Sequence, residues 1–353
     1  GSGYYDGAHD VFNNVVYNWG KRATDGGTHE LNFVNNYYKM GPATSQTLLL
    51  RHQFEGAGKG SQAAYVSGNV RVATNGTVTQ DAENVTYKYE LSGGQQLTWK
   101  PWNDKPFFES LAVIETAEAA YRNVLSDVGC NLPLLNSHDR RMVTETYNGT
   151  TSTVGSKTGK RGLIDREWDA EGYVAIEELA RPDDFDTDKD GMPDWWERLN
   201  GLDPNVPDNN TDADGDGFTA LEDYLNWMAQ PHFEVSLGKS VEIDLMPYFA
   251  GYPSTASFSL VEGDNASISG QKIAISSASS EGIASLKVKA EYDGVSLVRT
   301  FNIHYSDLST GIIDLPATVP AQSSPALYNL SGQRVTSDYR GIVIRNGRKM
   351  VNK

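Results

Sequence analysis

The 353-residue chain contains one cysteine, Cys130, so it has no intrachain disulfide framework and no zinc site built from cysteines. No apolar run approaches the ~18 residues that a membrane-spanning helix needs. Basic residues are scarce. The 30 Lys and Arg stand against 46 Asp and Glu, a net charge of −16, which argues against holding nucleic acid or an anionic membrane through bulk charge. Apolar residues are also few, at 39% with a mean hydropathy of −0.48, which fits an extended, solvent-rich architecture better than one large globule. There is no Ser-centred nucleophile elbow, no HExxH and no phosphate-binding glycine loop. The six histidines (His9, His29, His52, His138, His232 and His304) are scattered, and each alone reads as structural. The chain opens Gly1-Ser2-Gly3 without Met or a charged-then-apolar leader, as expected of a processed end or a cloning remnant with natural sequence missing upstream.

What is present is aromatic and turn-rich. The 18 Tyr, 11 Phe and 7 Trp are too many for a disordered chain, and 34 Gly with many Asn and Thr point to short strands and turns. The length predicts two to three domains. Within residues 1–100, Phe12-Asn13-Asn14-Val15, Val34-Asn35-Asn36-Tyr37 and Ser67-Gly68-Asn69-Val70 share a pattern at offsets of 22 and 33 residues. Such periods signal a solenoid, and strands this short predict a right-handed parallel β-helix. Asn14, Asn36 and Asn69 are then expected to stack at one corner as a structural amide ladder. Tyr17, Trp19, Tyr37 and Tyr38 read as solenoid core or stacking residues.

At 111–128 the period becomes helical, with Leu111, Ile114, Ala117, Ala120, Tyr121, Val124 and Val128 on one face and Gly129 as a stop. A second helix is expected around Ser137–Glu145. Residues 231–308 alternate apolar and polar, as in Val241-Glu242-Ile243-Asp244-Leu245 and Leu286-Lys287-Val288-Lys289-Ala290, with Asp293-Gly294 as a hairpin turn. The predicted organisation is therefore mainly β. It comprises β-helix coils with a wrapping helix (1–180), a small helical calcium module (181–230), an immunoglobulin-like sandwich (231–308), and a linker and tail (309–353) whose Asn346-Gly347 is a further turn.

The sharpest motif is DTDKDGMPDWWE at 186–197. Asp186, Asp188, Asp190, Gly191, Met192, Asp194 and Glu197 fall at positions 1, 3, 5, 6, 7, 9 and 12 of an EF-hand loop. Calcium is a hard ion that takes six to eight oxygens, and a curled chain with alternate carboxylates supplies them. Met192 offers its main-chain carbonyl and Glu197 closes the sphere. A second loop, DADGDGFTALED at 212–223, places Asp212, Asp214, Asp216, Gly217 and Phe218 (carbonyl) at positions 1, 3, 5, 6 and 7. Position 9 is Ala220 and position 12 the shorter Asp223, with Glu222 as an alternative closer, so this site is expected to be weaker or completed by water. Calcium in both loops is expected to be structural, because the carboxylates are used up as ligands.

A family resemblance rests on longer strings. VFNNVVYNWG (11–20) and ELNFVNNYYKMGPAT (30–44) resemble the C-terminal half of family 1 polysaccharide lyases, the pectate lyases. AEAAYRNVLSDVGCNLPLLNSHDRRMV (117–143) and GLIDREWDAEGY (162–173) are similar to the helix and wrap of Bacteroidota members, and the calcium strings to a module often appended there. The tail ALYNLSGQRVTSDYRGIVIRNGRKMVNK (326–353) is similar to tails of exported Bacteroidota proteins, implying a secreted or cell-surface location. The resemblance implies a parallel β-helix that cleaves homogalacturonan, the backbone of pectin, by calcium-assisted β-elimination, with an Arg removing the C5 proton. The family's catalytic Arg motif and acidic calcium cluster precede the segment that here begins at Val11, so no catalytic residue maps onto this chain. An N-terminal half or a second chain is then expected to complete the coil. Lys21, Arg22 and His29 fall in a loop that flanks the family's groove, where cations could meet an anionic polysaccharide; an ordinary solvated loop is the competing reading. Two other functional classes fit the same residues: a non-catalytic carbohydrate-binding or surface scaffold stiffened by calcium, and a calcium-dependent adhesin built on the sandwich.

Overall fold

In the computed structural model the described residues are 7–54, 62–91, 96–132, 135–173, 181–182, 184–307, 327–329, 334–335, 340–345 and 348–352. The architecture is mainly β, and no helix among the described residues is long and apolar enough to cross a membrane. The chain divides into two compact units. One comprises Gly1–Val128, Ser137–Tyr173 and Pro325–Lys353, and the other Gly129–Asn136 and Val174–Ser324.

In the first unit, short strands recur in threes. They are β1 (Ala8–Phe12), β2 (Val15–Tyr17), β3 (Thr24–Gly26), β4 (Glu30–Val34), β5 (Tyr37–Lys39), β6 (Leu50–Phe54), β7 (Ala63–Ser67), β8 (Val70–Val72), β9 (Val78–Gln80) and β10 (Tyr87–Leu91). Strands β1, β4 and β7 pair in parallel, as do β2, β5 and β8, and β3, β6 and β10; β9 closes the second sheet antiparallel to β8. The Asn repeat fixes this register. Asn14 Nδ2 donates to Asn36 Oδ1 at 2.8 Å, and Asn36 Nδ2 donates to Asn69 Oδ1 at 2.8 Å. The same acceptors take the backbone N–H groups of Asn14 and Asn36, so each amide satisfies a turn that no strand partner reaches. Asp81 ends the ladder by accepting from the Asn69 backbone N–H at 2.8 Å. Between the sheets, Phe33, Tyr38, Leu49, Leu50 and Ala64 are almost wholly buried, with Trp19 edge-on to Tyr38.

Two helices follow, α1 (Ala117–Ser126) and α2 (Ser137–Asn148). The helical period read from Leu111 begins instead at Ala117, because the Thr116 side chain caps the first turn by accepting the Ala119 N–H. Leu111 and Val113 are left exposed ahead of it. Tyr121 of α1 stacks on Tyr37 at 4.3 Å between ring centroids.

The second unit contains α3 (Asp194–Asn200) and α4 (Ala220–Met228), followed by strands β11 (His232–Ser236), β12 (Val241–Asp244), β13 (Ser257–Glu262), β14 (Ala266–Ser269), β15 (Lys272–Ile275), β16 (Gly282–Tyr292) and β17 (Val295–Ser306). Two sheets, ordered β11-β17-β16-β13 and β12-β15-β14, contribute to one apolar core around Leu245, Phe249, Ile273, Val288, Phe301 and Ile303. Asp293 and Gly294 turn the β16–β17 hairpin with φ of 53° and 76°. Two successive positive values make the primed turn whose twist matches paired strands. The helices pack on each other through Met192, Trp196, Tyr224 and Trp227. Trp195 stacks on His304 of β17 at 3.9 Å, and Asn302 Nδ2 donates to the Trp227 carbonyl at 2.9 Å, which ties the helices to the sheet.

The C-terminal strands β18 (Leu327–Asn329), β19 (Arg334–Val335), β20 (Gly341–Arg345) and β21 (Arg348–Asn352) form an antiparallel sheet ordered β19-β18-β20-β21. The linker at 309–322 and the turn expected at Asn346-Gly347 lie outside the described residues.

Candidate functional site

The two acidic loops fold alike, and local hydrogen bonds explain why. In the first, Asp186 accepts the N–H of Lys189 at 2.8 Å on Oδ1 and that of Gly191 at 3.2 Å on Oδ2. In the second, Asp212 accepts the N–H groups of Gly215 and Gly217 at 2.8 and 3.3 Å in the same way. The third and fifth positions repeat this: Asp188 and Asp214 each accept from the residue two further on, as do Asp190 and Asp216. Gly191 and Gly217 adopt φ of 104° and 98°, a region closed to side-chain-bearing residues without strain. Each loop thereby turns three carboxylates inward. Asp186, Asp188 and Asp190 bring oxygens within 4.8 Å of one another, and so do Asp212, Asp214 and Asp216.

The remaining expected ligands divide. Glu197 is fully buried on α3, and neither carboxylate oxygen has a hydrogen-bond partner among the described residues. Burial, and then the charges of Asp188, Asp190, Asp194 and Asp208, push its carboxyl up to about 7. Met192 at position 7 is also buried, its side chain in the core between the helices. Asp194 is drawn elsewhere: its Oδ1 accepts the Thr187 N–H at 2.8 Å and its Oδ2 the Thr187 hydroxyl at 2.7 Å. In the second loop Phe218 is half exposed, and Asp223 titrates high through desolvation and then the fields of Asp216, Asp214 and Asp212. Glu222 is unavailable as a closer. Its carboxylate accepts the Thr219 N–H at 2.7 Å while the Thr219 hydroxyl accepts the Glu222 N–H, a reciprocal cap on α4. Sequence reading missed that role, although Thr-x-x-Glu before an apolar run is its signature. It also missed Asp208, whose carboxylate lies within 4.8 Å of those of Asp190 and Glu197.

On the first unit, Lys21 and Arg22 are exposed between β2 and β3. His29, expected beside them on a groove wall, is instead buried at 6% exposure, too enclosed to offer a surface to a polymer. The β3–β6–β10 sheet carries a charged row. Arg51 sits between Asp25 (3.1 Å) and Glu90 (2.6 Å), Arg22 reaches Asp25 at 3.3 Å, and Lys88 reaches Glu90 at 2.7 Å. Hydrogen bonds from Arg51 and Lys88 hold the Glu90 carboxyl down to about 2. The register places Asp25, Arg51 and Lys88 opposite one another across three strands, hence on one face.

Against known sequences, the chain aligns with three curated fungal proteins, each named "Probable pectate lyase C". Identity is 29% over 226 residues with that of Aspergillus flavus and 28% over 226 residues with that of Aspergillus oryzae. With that of Emericella nidulans it is 27% over 222 residues. The chain is similar to fungal pectate lyases. Each alignment takes in 62% of this chain, and 47–48% of the relative, so the chain spans about half the length of the curated relatives it matches. No family model matches it.

Proposed function

We propose that this chain is part of a secreted pectate-lyase-like protein that acts on homogalacturonan. Its three parallel sheets are read as coils of a right-handed parallel β-helix, and its second unit as a calcium module joined to an immunoglobulin-like sandwich. The observation that carries this reading is the alignment with three pectate lyase C proteins over 62% of the chain, combined with parallel strand triplets locked by an asparagine ladder. A polyuronate is polyanionic. Lys21, Arg22, Arg51 and Lys88 supply the cations that would attract it to a chain whose net charge is −16. β-Elimination removes the proton alpha to a uronate carboxylate, so the enolate-like charge that develops needs a cation or metal nearby. None of these four residues is assigned as the base.

The calcium in this reading is structural. Asp186, Asp188, Asp190, Met192 (carbonyl), Asp194 and Glu197 are proposed for the first loop, and Asp212, Asp214, Asp216, Phe218 (carbonyl) and Asp223 for the second. The buried, unpartnered Glu197 supports a cation there, because an ionised carboxylate stripped of water and partners is costly to hold. Such loops hold their own ion and lend no group to chemistry on a sugar.

One observation favours a second reading, a carbohydrate-binding scaffold. Arg51, the central cation of the face, is already engaged by two carboxylates. A single experiment separates them: incubation with polygalacturonate and calcium, followed by the ultraviolet absorbance of unsaturated uronate ends, alongside retention on a polygalacturonate gel. Calcium-dependent absorbance supports the lyase. Retention without absorbance supports the scaffold, and neither signal rejects both.

A further inference from the structure

We propose that Asp208, which lies outside both loops, is a direct ligand of the divalent cation held by the first loop, while Asp194 at loop position 9 acts only through water. The inference rests on the calcium reading of 186–197 and adds a residue that the motif does not contain.

Position is the first argument. Asp208 follows the last residue of α3 by a turn-rich segment, yet its carboxylate lies within 4.8 Å of those of Asp190 and Glu197. It is held there by its neighbours. Asn209 donates its backbone N–H to Asp190 Oδ2 at 3.0 Å and its side-chain amide to the Asp190 carbonyl at 2.9 Å. Thr211 donates both its N–H and its hydroxyl to the Asp208 carbonyl, at 2.8 and 2.7 Å. The Leu221 N–H of α4 donates to the Asn209 carbonyl at 3.1 Å. Asp208 is thus fixed against the first loop at one end and against the second helix at the other.

Unmet bonding is the second argument, and it is independent of position. Glu197 is 0% exposed with both oxygens unpartnered, and Asp188 Oδ2 and Asp208 Oδ1 are buried without a hydrogen-bond partner among the described residues. Buried carboxylates converging without cations or donors are unfavourable unless an ion takes their lone pairs. Counted as ligands, Asp186, Asp188, Asp190 and Asp208 give one oxygen each and Glu197 gives two. That reaches the lower bound of calcium's six to eight before any main-chain carbonyl or water is added. Magnesium, which keeps several waters and demands a near-ideal octahedron, is poorly served by a cage of so many carboxylates. Asp194, by contrast, already accepts from Thr187 on both oxygens.

Calcium titration calorimetry on the full chain tests this with Asp208→Asn, Asp194→Asn and Asp188→Asn, each checked by circular dichroism for an unchanged fold. The wild type is expected to show a tight and a weak class of site. Asp208→Asn should weaken the tight class about ten-fold or more, and Asp194→Asn by less than about three-fold. Asp188→Asn should remove that class. If Asp208→Asn binds like the wild type while Asp188→Asn does not, Asp208 is no ligand and the inference fails while the calcium loop stands. If the wild type binds no calcium, the calcium reading fails with it.

Discussion

The loops at 186–197 and 212–223 share a hydrogen-bond pattern and differ in what lies behind it. The first holds Glu197 fully buried, with the half-buried Asp208 beside it. The second ends at the half-buried Asp223, with its three aspartates exposed. An exposed acidic loop is solvated with or without an ion, so it gains little from binding one. A buried loop carries uncompensated charge, and a cation relieves it. Loop pattern therefore sets where a cation can sit, and burial sets how much stability depends on it.

The strongest way to break that comparison is Glu197→Gln. The wild type should gain about 2.7 kcal/mol at calcium a hundred-fold above Kd, and the variant almost none. Without calcium the variant should be the more stable of the two at neutral pH, because a buried charge is gone. Thermal unfolding with calcium and with chelator reads both signs, and a variant destabilised under both conditions would contradict the burial argument.

The pH dependence sharpens the contrast, since buried groups in the two units titrate in opposite directions. Glu197 has its folded value raised from 4.5 to about 7, so the folded state binds more protons in that window. Calcium-free stability should then fall as pH rises from 4.5 to 7, and calcium should flatten the slope. His52, buried in the first unit against Phe54, is lowered from 6.5 to about 4 by desolvation. Its contribution, about 3 kcal/mol at most, is present above pH 6.5 and should be lost as pH falls to 4, with or without calcium. Denaturant titrations across pH 4–7.5 check both, and a calcium-sensitive acid limb in the first unit would count against the His52 assignment.

Asn36→Ala probes the first unit alone. It removes a fully buried amide that links Asn14 to Asn69, at an expected cost of about 2 kcal/mol that calcium leaves unchanged. The smallest effect is expected from Asp223→Ala, within about 0.5 kcal/mol of wild-type stability. Asp223→Glu should tighten the weak calcium class in calorimetry by restoring a longer closing carboxylate. A weak class that ignores both changes would remove Asp223 from the second site.

Much of this was legible in the sequence. Asn14, Asn36 and Asn69 announced the stacking register because the ladder joins equivalent turn positions between successive parallel strands. Asp293-Gly294 announced its hairpin because only that turn type accepts two positive φ values in succession. Other features were misread where a local competitor intervened. Thr116 started α1 six residues after the apolar period began at Leu111, and Thr219 claimed Glu222 for a cap. His29 read as a loop cation but is enclosed. Asp208 left no readable signal, since nothing in its spacing from the first loop belongs to the twelve-residue motif.

By itself, then, the sequence determined the curl of both acidic loops, whose hydrogen bonds span two to five residues and depend only on Asp, Gly and their spacing. It also determined the repeat that aligns the parallel strands. Only the tertiary structure decided that Glu197 is fully buried and Asp223 half-buried, and that Asp208 joins the first loop. Desolvation depends on which distant segments pack over a carboxylate, and local spacing carries no record of that.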